Sequence, residues 1–179
     1  MTTSFAALLG EIGTLRLRAI DEVRTCDPRM VGRPPSEDAW SVGEIVEHLV
    51  LAEDYGIRGL WGAIEQARAG ESRPLSDELA GRALDEIFAG QPAQLDAPPA
   101  VVPTSGGAPV DYWLGRFDGH QTAIESIAHA MDAAGPERVI YPHFRVGPLN
   151  GPQRMYFFRW HLARHLQQLE RTIQVVGAD

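Results

Sequence analysis

The sequence predicts an all-α protein, a four-helix bundle with one extra short helix and two long loops. Apolar residues recur at helical spacing in four long segments of similar length. Prolines concentrate between these segments. Hydrophobic residues make up 44% of the 179 residues, which is enough for one core without disulfides. We therefore expect residues 1–179 to form a single domain.

The first two long helices are predicted at residues 4–25 and 41–68. Ser41 is a typical N-cap, and Glu44 three residues later completes a capping box. The predicted apolar stripe of the first helix comprises Leu8, Ile12, Leu15, Ala19 and Val23. The predicted inward face of the second comprises Ile45, His48, Ala52 and Tyr55. Gly56 in this helix indicates close packing or a bend.

A short helix is predicted at residues 75–90, and long helices at residues 110–134 and 152–176. The segments 91–109 and 137–151 are predicted as loops, the first lying over the outside of the fold. In the third long helix the predicted seam comprises Trp113, Phe117, His120, Ile124, Ile127 and Met131. In the fourth, the predicted apolar face comprises Met155, Phe158, Leu162, His165, Leu169 and Ile173.

Charge and composition exclude several classes of function. The net charge of −8 argues against a nucleic-acid or anionic-membrane partner. All sixteen basic residues are arginine, so Schiff-base lysines and Walker A loops are excluded. Cys26 is the single cysteine, which excludes an internal disulfide and a cysteine-based zinc site. No targeting or membrane-spanning segment is visible, so we expect a cytoplasmic protein.

Three histidines form the candidate metal site. His161 and His165 are four residues apart and project from one helix face. His48 lies on the inward face of the second helix, so a bundle can direct all three imidazoles at one centre. Three neutral nitrogens with open coordination positions suit one divalent ion of Zn, Ni, Fe or Mn. The alternative is a pair of partly exposed histidines without a metal.

The residues Trp40-Ser41-x-x-Glu44-x-x-x-His48-Leu49, with His161-x-x-x-His165-x-x-Gln168 downstream, carry a family resemblance. This pattern resembles the DinB-like superfamily and, within it, the DinB_2 branch. Bacillithiol transferases and mycothiol-dependent maleylpyruvate isomerases are relatives. The resemblance implies an up-down-down-up four-helix bundle that holds one divalent metal, with His48, His161 and His165 as ligands.

Two further residues are candidates for a catalytic role. Gln168 lies on the stripe of His165, where it can hold a ligand or a bound water, or be a surface amide. His120 occupies a seam position, so it is either a proton carrier near the metal or a core histidine bonded to an acceptor. His143 in the second loop can cover the mouth of the site. Glu53 and Asp54 are expected to be solvated.

The resemblance implies a metal-dependent enzyme, either a thiol S-transferase or a thiol-dependent isomerase. Its partner would be a small-molecule substrate together with a low-molecular-weight thiol. The alternatives are a non-catalytic metal-binding or stress-related bundle and a scaffold without metal. Arginine can pair with a carboxylate-bearing substrate, but the sequence singles out no individual arginine. Exposed apolar helix faces indicate a homodimer.

Overall fold

A computed structural model describes residues 5–83, 88, 96–104 and 107–178 of the chain. Four long helices and one short helix account for most of these residues. The helices are α1 (Phe5–Thr25), α2 (Val42–Arg68), α3 (Asp77–Ala80), α4 (Val110–Ala134) and α5 (Gly151–Ala178). The predicted four-helix bundle is thus confirmed, and the bounds of its long helices agree with the prediction to within about two residues.

The four long helices enclose one core. Helix α1 packs against α4 and α5, and α2 packs against the same two helices, so α1 and α2 lie on one diagonal of the bundle. Each helix contributes fully buried side chains, for example Ile12, Ile64, Ile124 and Leu169. Among the described residues, no helix has both the length and the apolarity needed to cross a membrane.

Helix α2 begins and packs as its sequence indicates. The Oγ atom of Ser41 accepts a hydrogen bond from the backbone N–H of Glu44, and the Glu44 carboxylate accepts one from the backbone N–H of Ser41. This confirms the predicted capping box. Further along, a Cβ atom at Gly56 would collide with Arg154 and press on Phe158 of α5. The missing side chain therefore lets α2 and α5 approach closely.

The short helix is shorter than predicted. Helix α3 ends at Ala80, and Gly81, Arg82 and Ala83 are not helical. The guanidinium of Arg82 donates hydrogen bonds to the carbonyl oxygens of Val146 and Pro148, which draws this segment onto another part of the chain. The remainder of the predicted helix lies outside the described residues, except for Phe88, which is helical and buried.

The prediction of a loop over residues 137–151 is wrong for most of its length. Strands β1 (Ile140–His143) and β2 (Gly147–Asn150) form an antiparallel hairpin. Pro142 and Pro148 face each other across it, and prolines are poor sequence signals for a strand. Gly147 has a φ of 76°, a left-handed conformation that glycine adopts at no steric cost, and it closes the turn.

A buried ion pair across the bundle overturns the expectation for Glu53. This residue is only 2% exposed, and its carboxylate accepts hydrogen bonds of 2.9 and 3.0 Å from the guanidinium of Arg16 on α1. Arg16 is 1% exposed and also donates to the carbonyl oxygen of Phe117 on α4 at 2.6 Å. Tyr55, predicted to face inward, is 54% exposed, because Glu53 and Gly56 take the interior positions.

His120 on α4 completes this buried cluster. Its Nδ1 lies 2.9 Å from Oε2 of Glu53, and its Nε2 lies 3.0 Å from Oδ1 of Asp54. Burial alone would raise the pKa of Glu53, but Arg16 and His120 outweigh burial and hold that pKa below its ordinary value. Glu53 is therefore an ionised carboxylate that joins α1, α2 and α4.

We expect Glu53→Gln to lower the free energy of unfolding by about 3 kcal/mol, because it leaves the buried Arg16 cation without its charged partner. Urea denaturation at neutral pH measures the loss. The control is Glu65→Gln on the same helix, since Glu65 pairs with Arg68 in solvent, with side chains 67% and 45% exposed. That change should cost less than about 1 kcal/mol. Equal losses in the two variants would contradict a structural role for the buried pair.

Candidate metal centre

Three imidazole rings meet between α2 and α5. The ring centroids of His48 and His165 lie 4.6 Å apart, those of His48 and His161 lie 5.3 Å apart, and those of His161 and His165 lie 4.4 Å apart. One nitrogen from each ring lies within 4.8 Å of the others. The structure thus brings together the three residues that the sequence proposes as metal ligands.

The N-terminal turns of α2 orient His48. Trp40, which directly precedes the N-cap, packs its ring against the imidazole with centroids 4.7 Å apart. The Nδ1 of His48 lies 2.8 Å from the carbonyl oxygen of Val101. A carbonyl oxygen only accepts, so Nδ1 carries the proton and Nε2 keeps its lone pair in the neutral ring. His48 therefore presents Nε2 as its available ligand atom.

Helix α5 orients the other two rings. His161 and His165 lie four residues apart on one face. The Nδ1 of His165 donates to Oε1 of Gln168 at 2.8 Å, which again leaves Nε2 with a free lone pair. This contact confirms the predicted position of Gln168 beside His165. The ring of His161 stacks on Phe157, with centroids 5.5 Å apart.

Burial keeps the three imidazoles neutral. It lowers the pKa of His48, and the hydrogen bond to Val101 opposes this only in part. Burial and the neighbouring imidazoles lower the pKa of His165 to about 3 and hold that of His161 well below its ordinary value. Only the neutral ring binds a metal, so the site is ready for one at neutral pH.

The donor set fits a divalent transition metal. Three neutral nitrogens are typical ligands of Zn, Ni, Fe or Mn. Within the described parts of the chain, no fourth histidine, cysteine or carboxylate joins the group. A metal bound by three protein ligands keeps coordination positions for water or substrate, which is typical of catalytic rather than structural sites.

Part of the loop predicted to lie over the outside instead closes on the site. Pro99–Val101 forms a 3-10 turn, and Val101 is buried. Three residues later the chain is tied to α2, because the backbone N–H and the hydroxyl of Thr104 both donate to the Glu47 carboxylate, at 2.9 and 2.7 Å. These contacts hold the Val101 carbonyl against His48.

His120 is not among the clustered rings. Both of its nitrogens face carboxylates, Glu53 on one side and Asp54 on the other. This is the bonded core histidine of the two interpretations that the sequence left open. His48 and Glu53 lie on different faces of α2. The helix therefore separates the histidine cluster from the carboxylates that bind His120.

His143 contacts an aromatic neighbour of the histidine cluster. Its ring contacts Phe157, with centroids 4.6 Å apart, and Phe157 stacks on His161. Burial and the nearby Arg154 and Arg145 lower the pKa of His143 to about 4, so its ring is neutral. The remaining histidine, His129, is exposed, as expected from its position off the seam.

Sequence reasoning missed Val101 and assigned no role to Trp40. The carbonyl of Val101 carries no sequence signal, because every residue has one. Trp40 offered a weak signal, since an apolar residue directly before an N-cap often packs on the following helix. Trp40 packs on His48, and Gln168 is hydrogen-bonded to His165. Both side chains also line a surface depression of about 210 Å³.

Comparisons with known proteins agree with this fold. The crystal structure of TT2238, described as a four-helix bundle protein, matches with a TM-score of 0.57 at 20% sequence identity. The match covers 94% of this chain and 99% of that one. This likeness supports the fold alone.

Among curated proteins, none matches the chain significantly. The family model DinB_2, described as the DinB superfamily, matches residues 11–169, which include all three clustered histidines. The match extends over most of the 179 residues. The chain therefore belongs to the DinB superfamily.

Proposed function

We propose that this protein is a divalent-metal-dependent enzyme that acts on a small molecule, as a thiol S-transferase or a thiol-dependent isomerase. The observation that carries the proposal is the convergence of His48, His161 and His165, with no fourth ligand among the described residues. Membership of the DinB superfamily supports the metal. The choice of a thiol as co-substrate rests on the resemblance to thiol-dependent relatives.

The protein's part in this chemistry is to hold three neutral imidazoles in place. A bound metal would lower the pKa of a coordinated thiol or water and so generate a nucleophile at neutral pH. Val101 and Gln168 fix the proton on the Nδ1 atoms of His48 and His165, so that each Nε2 is available without rearrangement. Trp40 and Phe157 pack against the rings and limit their rotation.

A metal-binding bundle without catalysis is the second candidate. It would use the same three histidines, but it would need the remaining coordination positions to be filled by the protein. The coordination of the bound metal distinguishes the two candidates. If the spectrum of the cobalt-substituted protein changes when thiol is added, the metal has an open coordination position. A spectrum that does not respond favours the second candidate.

We expect His48→Ala to weaken metal binding by more than roughly 100-fold, because it removes a ligand rather than an outer partner. The protein is purified without a nickel column, and its metal content is measured by elemental analysis. The same samples are screened for thiol transfer to chlorodinitrobenzene with mycothiol, bacillithiol, coenzyme A and glutathione. Activity with one thiol should disappear together with the metal.

His129→Ala is the matched control, because His129 is an exposed histidine of α4. It should retain one equivalent of metal. Full metal content in His48→Ala would refute the three-histidine site. Metal without turnover in the whole screen would favour the non-catalytic bundle.

Gln168→Leu should weaken metal binding by roughly tenfold, because His165 loses the acceptor that orients its ring. Competition with a chromogenic chelator measures the dissociation constant. Gln167→Leu is the control, since Gln167 is the exposed neighbour on the same helix turn. Equal affinities in the two variants would show that the amide does not support the ligand.

The metal-free protein should lose stability as the pH falls from about 6.5 towards 3. Protonation of an unfolded histidine begins near 6.5, while folding holds the pKa of His165 at about 3. The free energy of unfolding is therefore at its full value above about pH 6.5. Below that pH it declines by up to about 1.4 kcal/mol per pH unit for each such histidine. Urea denaturation between pH 7.5 and 5 measures the slope.

His165→Asn should reduce that slope, and His129→Gln should leave it unchanged. A stability that does not change between pH 7.5 and 5 would contradict the lowered pKa values of these histidines.

A further inference from the structure

A buried arginine lies next to the candidate metal centre. Arg154 of α5 is 3% exposed, and its guanidinium carbon lies 4.2, 4.6 and 4.7 Å from the ring centroids of Phe158, Tyr141 and Phe157. Two of its donor nitrogens, Nε and Nη1, have no hydrogen-bond partner among the described residues and no exposure to solvent. Buried cations are normally paired, so this one requires an explanation.

The neighbouring acids are already engaged. Glu53, the carboxylate whose charge acts on Arg154, is shared by Arg16 and His120. Asp54 beside it is shared by His120 and Arg116. Burial lowers the pKa of Arg154 to about 10, which still leaves the guanidinium charged at neutral pH. The described part of this region therefore has a surplus of positive charge.

The position of Arg154 relates it to the three histidines. It precedes His161 by two helical turns on the same face of α5, about 10 Å along the axis. Phe157 lies between them and contacts both, since its ring is 4.7 Å from the guanidinium and 5.5 Å from the imidazole. The positive charge of Arg154 also contributes to the low pKa of His161.

A cavity adjoins one of the rings that pack on Arg154, although Arg154 itself does not line it. Tyr141 covers Arg154 and also lines a cavity of about 480 Å³, together with Gly59 and Gly62 of α2. Neither glycine adds a side chain to the cavity wall. Tyr141 is 5% exposed and packs on the guanidinium, so a ligand in this cavity reaches Arg154 only if the Tyr141 side chain moves.

We propose that Arg154 binds an anionic group of the substrate, a carboxylate, while the reacting part of the same molecule extends along Phe157 towards the histidines. This proposal rests on the proposed function, because it assigns the substrate class of that site. An arginine pairs with a carboxylate through charge-assisted hydrogen bonds, and the unpartnered nitrogens supply the donors. Three neutral histidines add no negative charge that would compete for it.

Calorimetric titration of the metal-loaded protein with benzoate and with benzamide tests the proposal. Benzoate should bind and benzamide should not, because the two differ in charge but have nearly the same shape. Arg154→Met should weaken benzoate binding by roughly tenfold or more, the size expected for losing a hydrogen bond to a charged group. Its metal content should stay at the wild-type level, which separates this result from a failure of the metal site.

Arg159→Met is the matched control, since Arg159 lies on the same helix at the surface and pairs with Glu11. It should bind benzoate as the wild type does. Arg154→Lys, which keeps the charge, should retain the preference for benzoate with weaker affinity, and it serves if the methionine variant does not fold.

Two outcomes would overturn the proposal. Benzoate binding that is equal in wild type, Arg154→Met and Arg154→Lys would show that the guanidinium is only structural. Binding that requires the metal and ignores Arg154 would place the carboxylate on the metal instead.

Discussion

The contact between α2 and α5 is the constraint on which the candidate site depends. One of its three histidines comes from α2 and two come from α5, and these two helices are far apart in sequence. Gly56 removes a side chain at the interface, so the helices approach closely enough for the rings to meet. Burial lowers the pKa of all three rings, which keeps them neutral, and hydrogen bonds from Nδ1 orient those of His48 and His165.

The two buried histidines at positions 48 and 120 show how surroundings decide chemistry. The first stays neutral because burial lowers its pKa, and its hydrogen bond to the Val101 carbonyl leaves the other ring nitrogen with a lone pair. The second lies between the carboxylates of Glu53 and Asp54, which take up both of its ring nitrogens. The same residue type thus belongs to a candidate metal site on one face of α2 and to a cluster of charged side chains on another.

The distribution of charge links these two regions. The ion cluster uses its acids internally, and the histidine cluster contains no carboxylate among the described residues. Arg154 lies between these two regions, and two of its donor nitrogens have no acceptor among the described residues. A bundle that only needed stability would gain by replacing such a cation with an apolar side chain of similar volume. Its presence is consistent with a ligand that brings the missing negative charge.

Local patterns explain which predictions succeeded. The capping box at Ser41, the apolar stripes of the long helices and the i, i+4 spacing of His161 and His165 all depend on residues close in sequence. The hairpin escaped notice because its paired strands carry Pro142 and Pro148, and each strand has only four residues. The burial of Glu53 also escaped notice, because its partner lies on another helix.

By itself the sequence determined the four long helices, the capping box of α2 and the three histidines that share the chemistry of a metal ligand. It did so because helical periodicity and side-chain type are properties of short segments. The tertiary structure alone decided that His48 meets the α5 pair, that His120 does not, and that two donor nitrogens of Arg154 have no acceptor in the described interior. Those outcomes depend on which faces of distant helices pack together, and only the packed fold contains that information.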